Sequence, residues 1–319
     1  MSAQSADDRA HRVHVSAPAG VVYALTADAV KWPLFFTPSV HVEQLEFDGE
    51  QERLRVWCLI DGELKSWTAW RHLDPVRRTV EFRQELPSSP FHSLHGVFTV
   101  RSEGPHDTEL ELRYDFSASG GRPGDTERLV AITEGNARSE LANLKAVAER
   151  WTRLDELTLT FEDSVHIKGP AELVYDFLYR AADWPELVPH VTRVDLTEDV
   201  PGVQHMTMET LTEYGAHSTD SVRICFPHAE RIVYKDTATS PLVQAHTGEW
   251  SVVPDERGVT VIAQHTVVLS DSADVVTSVL GEHADLAHAR QYVREALGRN
   301  CQVLLTHAKT HAESAVRML

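Results

Sequence analysis

The chain of 319 residues is 42% hydrophobic and 24% charged, with a formal net charge of −18, the proportions of a globular protein with room for about two domains of about 150 residues. That charge excludes nucleic acid as a partner, because phosphates would be repelled, and no run of eighteen apolar residues marks a membrane span. The first dozen residues, MSAQSADDRAHR, lack the apolar core of a signal peptide, and Cys58, Cys225 and Cys301 are too scattered for a disulfide framework or a zinc site; the expected location is the reducing cytoplasm.

In chain order, residues 11–17 alternate as a strand closed by Pro18, and 19–29 follow as a short helix. A Trp32-Pro33 turn leads into strand-like segments at 53–60, 64–73, 78–85, 94–102 and 108–117, rich in Val, Leu, Thr and aromatics. The last alternates cleanly, with Leu110, Leu112, Tyr114 and Phe116 on one face. Gly120, Gly121 and Gly124 lack the order of a nucleotide-binding loop and are read as a connector over a pocket mouth. A helix over 125–152 carries an apolar stripe of Leu129, Ile132, Leu141, Leu144, Ala148 and Trp151. The boundary falls near 153–160. The pattern then restarts, with a strand at 162–168, Pro170, a helix at 171–181, strands at 204–213, 216–226, 230–236, 245–253 and 258–269, and a helix at 272–314.

The second half repeats the first. His14, Pro18, Val22, Tyr23, Trp32 and Pro33 return as His166, Pro170, Val174, Tyr175, Trp184 and Pro185 at an offset of 152, and Arg71 returns as Arg223. Ser89-Pro90-Phe91 and His95 match Ser240-Pro241-Leu242 and His246 at 151. So long a period means two whole domains, 1–155 and 156–319, each with its own core. Each is α+β: an antiparallel sheet that curls around its final helix to bury the stripe, leaving between them a cavity suited to an apolar or aromatic ligand.

Read together, PAGVVY and PAELVY, KWPLFF and DWPELV, SWTAWR and STDSVR, with NARSELANLK in the first domain, resemble the polyketide aromatase/cyclases, in their two-domain form. The resemblance covers nearly the whole chain, twice. It implies the helix-grip (START/Bet v 1-like) fold and a cofactor-independent enzyme that takes a poly-β-ketone from an acyl carrier protein, within a polyketide synthase, and promotes aldol ring closure and dehydration to an aromatic ring. Arg71 and Arg223 fall at the family's arginine position. A guanidinium can donate two hydrogen bonds to a carbonyl or enolate oxygen and keeps its charge at any working pH. Ser221 shares the strand face of Arg223, whereas the first domain has Ala69 there, leaving its chemistry open. An acidic carrier protein would need a local basic patch, such as Arg77, Arg78 and Arg83.

Trp32, Phe36, Trp57 and Trp67 in the first domain, with Trp184, Tyr234 and Trp250 in the second, are candidates to line a flat cavity, plain core being the alternative. Arg83 and Lys235 are a second corresponding cationic pair, alternating with Phe82 and Tyr234, and only one of each neighbouring pair can face inward. His246 is a candidate for proton transfer and His95 its counterpart. His307 and His311 have ligand spacing on the last helix but no evident third ligand, so no metal is expected; no glycine-rich phosphate loop or Gly-x-Ser-x-Gly elbow is present. A non-enzymatic carrier or chaperone of the same fold is the alternative function, since one scaffold hosts both.

Overall fold

The computed structural model describes residues 9–60, 62–85, 91–118, 125–212 and 215–317. The first unit, Met1–Leu154, runs β1 (Arg9–Val15), α1 (Ala19–Ala27), α2 (Trp32–Phe35), β2 (Ser39–Phe47), β3 (Gln51–Ile60), β4 (Glu63–Asp74), β5 (Thr79–Gln84), β6 (Phe91–Ser102), β7 (Thr108–Ala118) and α3 (Asp125–Ala148). After a short α4 (Leu154–Leu157), the second unit, Asp155–Leu319, runs β8 (Thr158–Ile167), α5 (Ala171–Tyr179), α6 (Trp184–Leu187), β9 (Val191–Val200), β10 (Val203–Thr212), β11 (Gly215–Phe226), β12 (Arg231–Ala238), β13 (Val243–Asp255), β14 (Gly258–Leu269), α7 (Ala273–Leu280) and α8 (Leu286–Arg317). Each unit holds one antiparallel seven-stranded sheet, ordered β1-β7-β6-β5-β4-β3-β2 and β8-β14-β13-β12-β11-β10-β9.

The long helix of each unit packs on the first and last strands of its sheet, α3 on β1 and β7 and α8 on β8 and β14. In the first unit the core joins Val80, Phe98, Val100, Leu110, Leu112, Tyr114 and Phe116 to Leu129, Leu141, Leu144 and Ala148 of α3. In the second, Ile232, Trp250, Val252, Val261 and Ala263 meet Cys301, Leu304, Leu305, Ala308 and Ala312 of α8. The helix-facing side of each sheet carries these core residues, as the alternation in β7 required. Matching bonds fasten the helix ends. Lys145 and Lys309 donate to the carbonyls of His14 and His166, and the amides of Ser16 and Lys168 donate to Glu149 and Glu313.

Several elements depart from the sequence reading. Strands β2 and β9 were not anticipated: they are sheet edges with exposed stretches, and register breaks at Ser39/His41 and Gln44/Glu46 in β2, or opposite β9 in β10, interrupt the alternation. Each Trp-Pro pair opens a single helical turn with Pro in its first positions rather than a plain turn. The helix expected over 272–314 is two helices, broken at Gly281, whose φ of 103° is open to glycine and strained for other residues. Trp151 lies beyond α3 and is 39% exposed, so it is not part of the stripe. Ser89, Pro90, Gly120, Gly121 and Gly124 lie outside the described residues.

The register corrects one correspondence. Phe82 pairs with Gly96 and Tyr234 with Gly248, and each ring lies over its glycine so closely that an added Cβ would stand 2.3 Å from Phe82 and 2.2 Å from Tyr234. The offset is 152 here too, so His246 corresponds to Leu94 rather than to His95. Gly248→Ala should dislodge the Tyr234 ring from the core and lower stability by about 1–3 kcal/mol, read as a fall in the denaturant midpoint of unfolding.

Candidate functional site

Both arginines are buried, Arg71 at 4% exposure and Arg223 at 2%. Arg71 donates to the carbonyls of Thr26 (2.8 Å) and Ala27 (3.0 Å) and to Glu52 (2.7 Å), under the ring of Trp32 at 5.0 Å. Arg223 repeats this at two of the three corresponding acceptors, donating to the Leu178 carbonyl and to Gln204 (2.8 Å), with Trp184 at 5.5 Å, while the Tyr179 carbonyl, the counterpart of Ala27, accepts from Gln204 Nε2 instead (3.2 Å). The last carbonyls of α1 and α5 have no partner within their own helices, and the guanidinium satisfies them while its charge opposes the negative end of the helix dipole. One substitution changes the charge beside the arginine. Glu52 neutralises Arg71, whereas Gln204 accepts from Arg223 as a neutral amide and hands its own Nε2 hydrogen to Glu198 at 2.8 Å. Burial lowers both guanidinium pKa values, that of Arg71 to about 10.

Around Arg223 the helix-facing side of the second sheet is polar. Arg223 lies opposite Tyr234, and Ser221 opposite Asp236; Asp236 lies beside His246, and Gly248 opposite His265. These pairings bring Ser221, Arg223, Tyr234, Asp236, His246 and His265 to one face of four adjacent strands. His246 Nδ1 donates to Asp236 at 2.7 Å, as a carboxylate can only accept. His246 Nε2 stands 3.1 Å from His265 Nδ1, with the rings stacked at 5.3 Å, and the Tyr234 hydroxyl is 3.1 Å from the same Nδ1. Burial, and then His246, push His265 down to about 3, so its ring is neutral. Burial, and then Asp236, lift the Tyr234 phenol well above 10, so it is a proton donor near neutrality. Among the described residues, the Ser221 and Tyr175 hydroxyls and His265 Nε2 are buried without a hydrogen-bond partner.

The structure thus brings together Ser221, Arg223, Tyr234 and His246 of the sequence candidates, with Trp184 against the arginine and Trp250 two residues beyond Gly248 on the same face. Asp236 and His265 were missed; a histidine among Val261, Ala263, Val267 and Leu269 on a buried face was the available signal. In the first domain Trp32, Phe36 and Trp67 lie around Arg71 as core: Trp32 packs against Phe36 at 5.2 Å, and Trp67 against Leu54 and Val56. Three candidates do not belong. Trp57 pairs with His41 and Ser66 on the opposite face from Arg71, and Arg83 and His95 are exposed on the outer face, where His95 meets Asp115 at 3.0 Å. Phe82 takes the inward direction that Arg83 and Phe82 contested.

The first domain's counterparts of Ser221, Tyr234, Asp236 and His246 are Ala69, Phe82, Gln84 and Leu94, so the polar network has no copy there. Aligning the helices on Lys145 and Lys309 sets Glu140 opposite the core residue Leu304, and burial pushes this carboxyl up to about 7. Two clefts formed by described residues lie elsewhere. One of about 270 Å³ is lined by Phe177, Leu187, His307 and His311, and one of about 570 Å³ lies between β1 and α3. Neither includes Arg71 or Arg223. Ligand-type atoms of Asp163, His265 and Cys301 fall within 4.8 Å of one another, a grouping the sequence reading did not expect. Arg294 already occupies both Asp163 oxygens at 3.0 and 3.2 Å, which makes the carboxylate an ion-pair partner rather than a free ligand.

Two stability outcomes follow from this geometry. Arg71→Ala strands Glu52 and should cost about 3–5 kcal/mol, partly recovered by adding Glu52→Gln, whereas Arg223→Ala leaves only neutral groups unpaired and should cost about 1–3 kcal/mol; chemical denaturation of the full chain measures both. His265 is neutral in the fold down to about 3, whereas in the unfolded chain it protonates below about 6.5. Its contribution is complete above the unfolded value and is lost as pH falls toward 3, by at most about 1.4 kcal/mol per pH unit. Unfolding curves from pH 7 to 4 should show a shallower loss in His265→Gln.

The family described as "Polyketide cyclase / dehydrase and lipid transport" matches residues 9–149 and again 158–313. The chain is 39% identical over 307 residues to the granaticin polyketide synthase bifunctional cyclase/dehydratase of Streptomyces violaceoruber, covering 96% of this chain and 94% of that one. It is 40% identical over 318 residues to the actinorhodin polyketide synthase bifunctional cyclase/dehydratase of Streptomyces coelicolor, covering 96% of each. Among solved structures, the di-domain aromatase/cyclase BexL from the BE-7585A biosynthetic pathway superposes with a TM-score of 0.86 at 41% identity, over 96% of this chain and 98% of that one. StfQ from the steffimycin pathway superposes at 0.85 and 31%, over 97% and 99%. Two antiparallel sheets gripping two long helices, matched end to end by these relatives, make the chain a member of the polyketide cyclase/dehydrase family, in its two-domain aromatase/cyclase form.

Proposed function

We propose that the chain folds a poly-β-ketone carried by an acyl carrier protein, closes a ring by aldol addition and removes water from it, with the second domain as the seat of the acid–base chemistry. The observation that carries this reading is the gathering of Ser221, Arg223, Tyr234 and His246 on one buried sheet face, where the first domain has apolar side chains around a neutralised arginine. In the reaction, a carbon between two ketones loses a proton and attacks a further carbonyl, whose oxygen becomes an alkoxide. Arg223, held by neutral acceptors, keeps its charge available to that oxygen, and the unpartnered Ser221 hydroxyl adds a donor beside it. Tyr234 supplies a proton at neutral pH. Trp184 and Trp250 offer flat walls, which suit a product becoming planar.

Arg71, ion-paired to Glu52, is read as a structural cation, and the first domain as the part that binds and folds the chain, with Glu140 its available acid. A carrier needs no buried histidine pair, aspartate and free hydroxyl on one face, which weighs against the non-enzymatic alternative. The finer expectations on partner and location are kept: exposed Arg77 and Arg83 offer cations to an acidic carrier protein, and three free cysteines suit the cytoplasm.

The test is reconstitution of the full chain with a minimal polyketide synthase, with aromatic products read by mass and ultraviolet spectrum. Ser221→Ala and Arg223→Ala should each lower formation of the product on the order of 100-fold, and His95→Ala should leave it unchanged. Full product from the Ser221→Ala and Arg223→Ala proteins would overturn the assignment to the second domain.

A further inference from the structure

The polar groups of the second domain are enclosed. Ser221, Arg223 and His246 are 4%, 2% and 5% exposed, so a chain tethered to a carrier protein reaches them only after part of the domain moves. The sheet register shows which end lies nearest. His246 pairs with Val267, and just beyond it the strand pair finishes, with Val243 opposite Leu269 and the Ser270 amide donating to the Leu242 carbonyl at 2.9 Å. At this end Leu242, Val267, Leu269, Val276, Ala289 and Val293 form an apolar cluster separate from the main core. Val276 belongs to α7, and Ala289 and Val293 continue, toward the start of α8, the stripe that carries Cys301 and Leu305. The element covering the sheet just past His246 is therefore α7.

That helix is lightly held. Of its eight residues only Val276 is buried, with Val275 and Leu280 partly so, while Ala273, Asp274, Ser278 and Val279 are exposed. Its side-chain hydrogen bonds stay within the helix and its cap: Thr277 donates to the Ala273 carbonyl, Ser278 to that of Val275, and Ser272 accepts from the Val275 amide. Among the described residues no ion pair ties α7 to the sheet or to α8, whereas lysine and glutamate clasp the ends of the long helices. It stops at Gly281, whose φ of 103° and ψ of 161° are essentially confined to glycine, with open space around the residue. A helix anchored by one valine and bounded by a glycine joint can swing without disturbing the core.

The second domain also acquired α7 as an addition. Tyr114 and His265, which pair with Gly96 and Gly248, stand 151 residues apart, whereas Lys145 and Lys309, which bond to the His14 and His166 carbonyls, stand 164 apart. The second domain thus carries thirteen more residues between its last strand and its long helix, and α7 lies within them. The domain with the polar face is the one with the added helix. We propose that α7 is a lid: it swings on Gly281 to admit the tethered poly-β-ketone to Ser221, Arg223 and Tyr234, and closes to keep water from the enolate and alkoxide formed there, an inference that rests on the second-domain reading above. When closed, the lid brings Val275, Val276 and Leu280 to this end of the site. Hydrocarbon offers no competing donor, so the oxygens of the chain are left to the groups on the sheet.

Hydrogen exchange on the unaltered full chain should show the α7 amides exchanging on the order of 100-fold faster than those of β14 and of α8 beyond Val293, as a lid that moves without unfolding requires. Val276→Ser should raise α7 exchange about 10-fold further. Gly281→Ala, which strains the closed joint without a clash, should act in the same direction, and neither should alter exchange in β14. In the reconstituted system both should lower the aromatic product about 10-fold in favour of the products the synthase gives alone, while Val276→Leu, which keeps the apolar anchor, should retain it. If α7 exchanges as slowly as β14 in the unaltered chain, the lid is overturned by that measurement alone. If Val276→Ser and Gly281→Ala loosen α7 and the product stays at its original level while Arg223→Ala is inactive, the lid is overturned and the second-domain assignment stands. Full product from Arg223→Ala would overturn that assignment and the lid with it.

Discussion

A guanidinium buried at the end of a short helix and stacked on a tryptophan is the joint on which each domain turns. Arg71 and Arg223 reach from the middle of a sheet to the last carbonyls of α1 and α5 and lie against Trp32 and Trp184. Those indoles donate back to the same helices, Trp32 to the Leu25 carbonyl and Trp184 to that of Phe177. Sheet, helix and Trp-Pro turn are thus tied at one point, at a depth where a free charge or an open carbonyl would be costly. The rest of each domain closes around this knot.

From one knot, two environments have diverged. With Glu52 the arginine is one half of a closed ion pair, and Ala69, Phe82 and Leu94 stand on the surrounding inner face. With Gln204 the neutralising charge recedes to Glu198, which also accepts from Tyr179 and the Gly202 amide. Burial raises the Glu198 carboxyl, and these bonds more than offset it, so it stays ionised. Around that less quenched cation the sheet carries serine, tyrosine, aspartate and two histidines. A polar network in a protein interior holds its members in fixed directions only when nearly all of them are satisfied. Three of its buried polar atoms are left without a partner, the Ser221 and Tyr175 hydroxyls and His265 Nε2.

Much of the fold could be read from residues because it is written twice. The offset of 152 located both domains, both arginines and both Trp-Pro turns, and clean alternation in β7 announced a sheet with one buried face. The edge strands β2 and β9 escaped because bulges, and in β2 a stretch exposed on both faces, break a period of two. The site was legible in part. Arg223 came from the family resemblance, Ser221 from its place on the same strand face, and Tyr234 and His246 from residue type, but pairing His246 with His95 rested on a slip of one residue, and in a strand such a slip exchanges the inner face for the outer. The glycine beneath each ring, Gly96 and Gly248, is the physical marker of the true register. His265 was hidden for another reason: a single histidine within an apolar strand gains meaning only from neighbours brought across the sheet.

The clasp at the end of each long helix has a further consequence. Lys145 and Glu149, like Lys309 and Glu313, bind the backbone just where the first strand of the same domain ends. Each long helix is thereby fastened to the far end of the strand that opens its own domain. A gene segment encoding a unit that is fastened to itself in this way can be copied in tandem without pulling either copy open. Once doubled, one copy can keep the inherited architecture while the other accumulates charged and titratable side chains. The contrast between Ala69, Phe82, Gln84 and Leu94 and their partners Ser221, Tyr234, Asp236 and His246 has the form such a division of labour would leave.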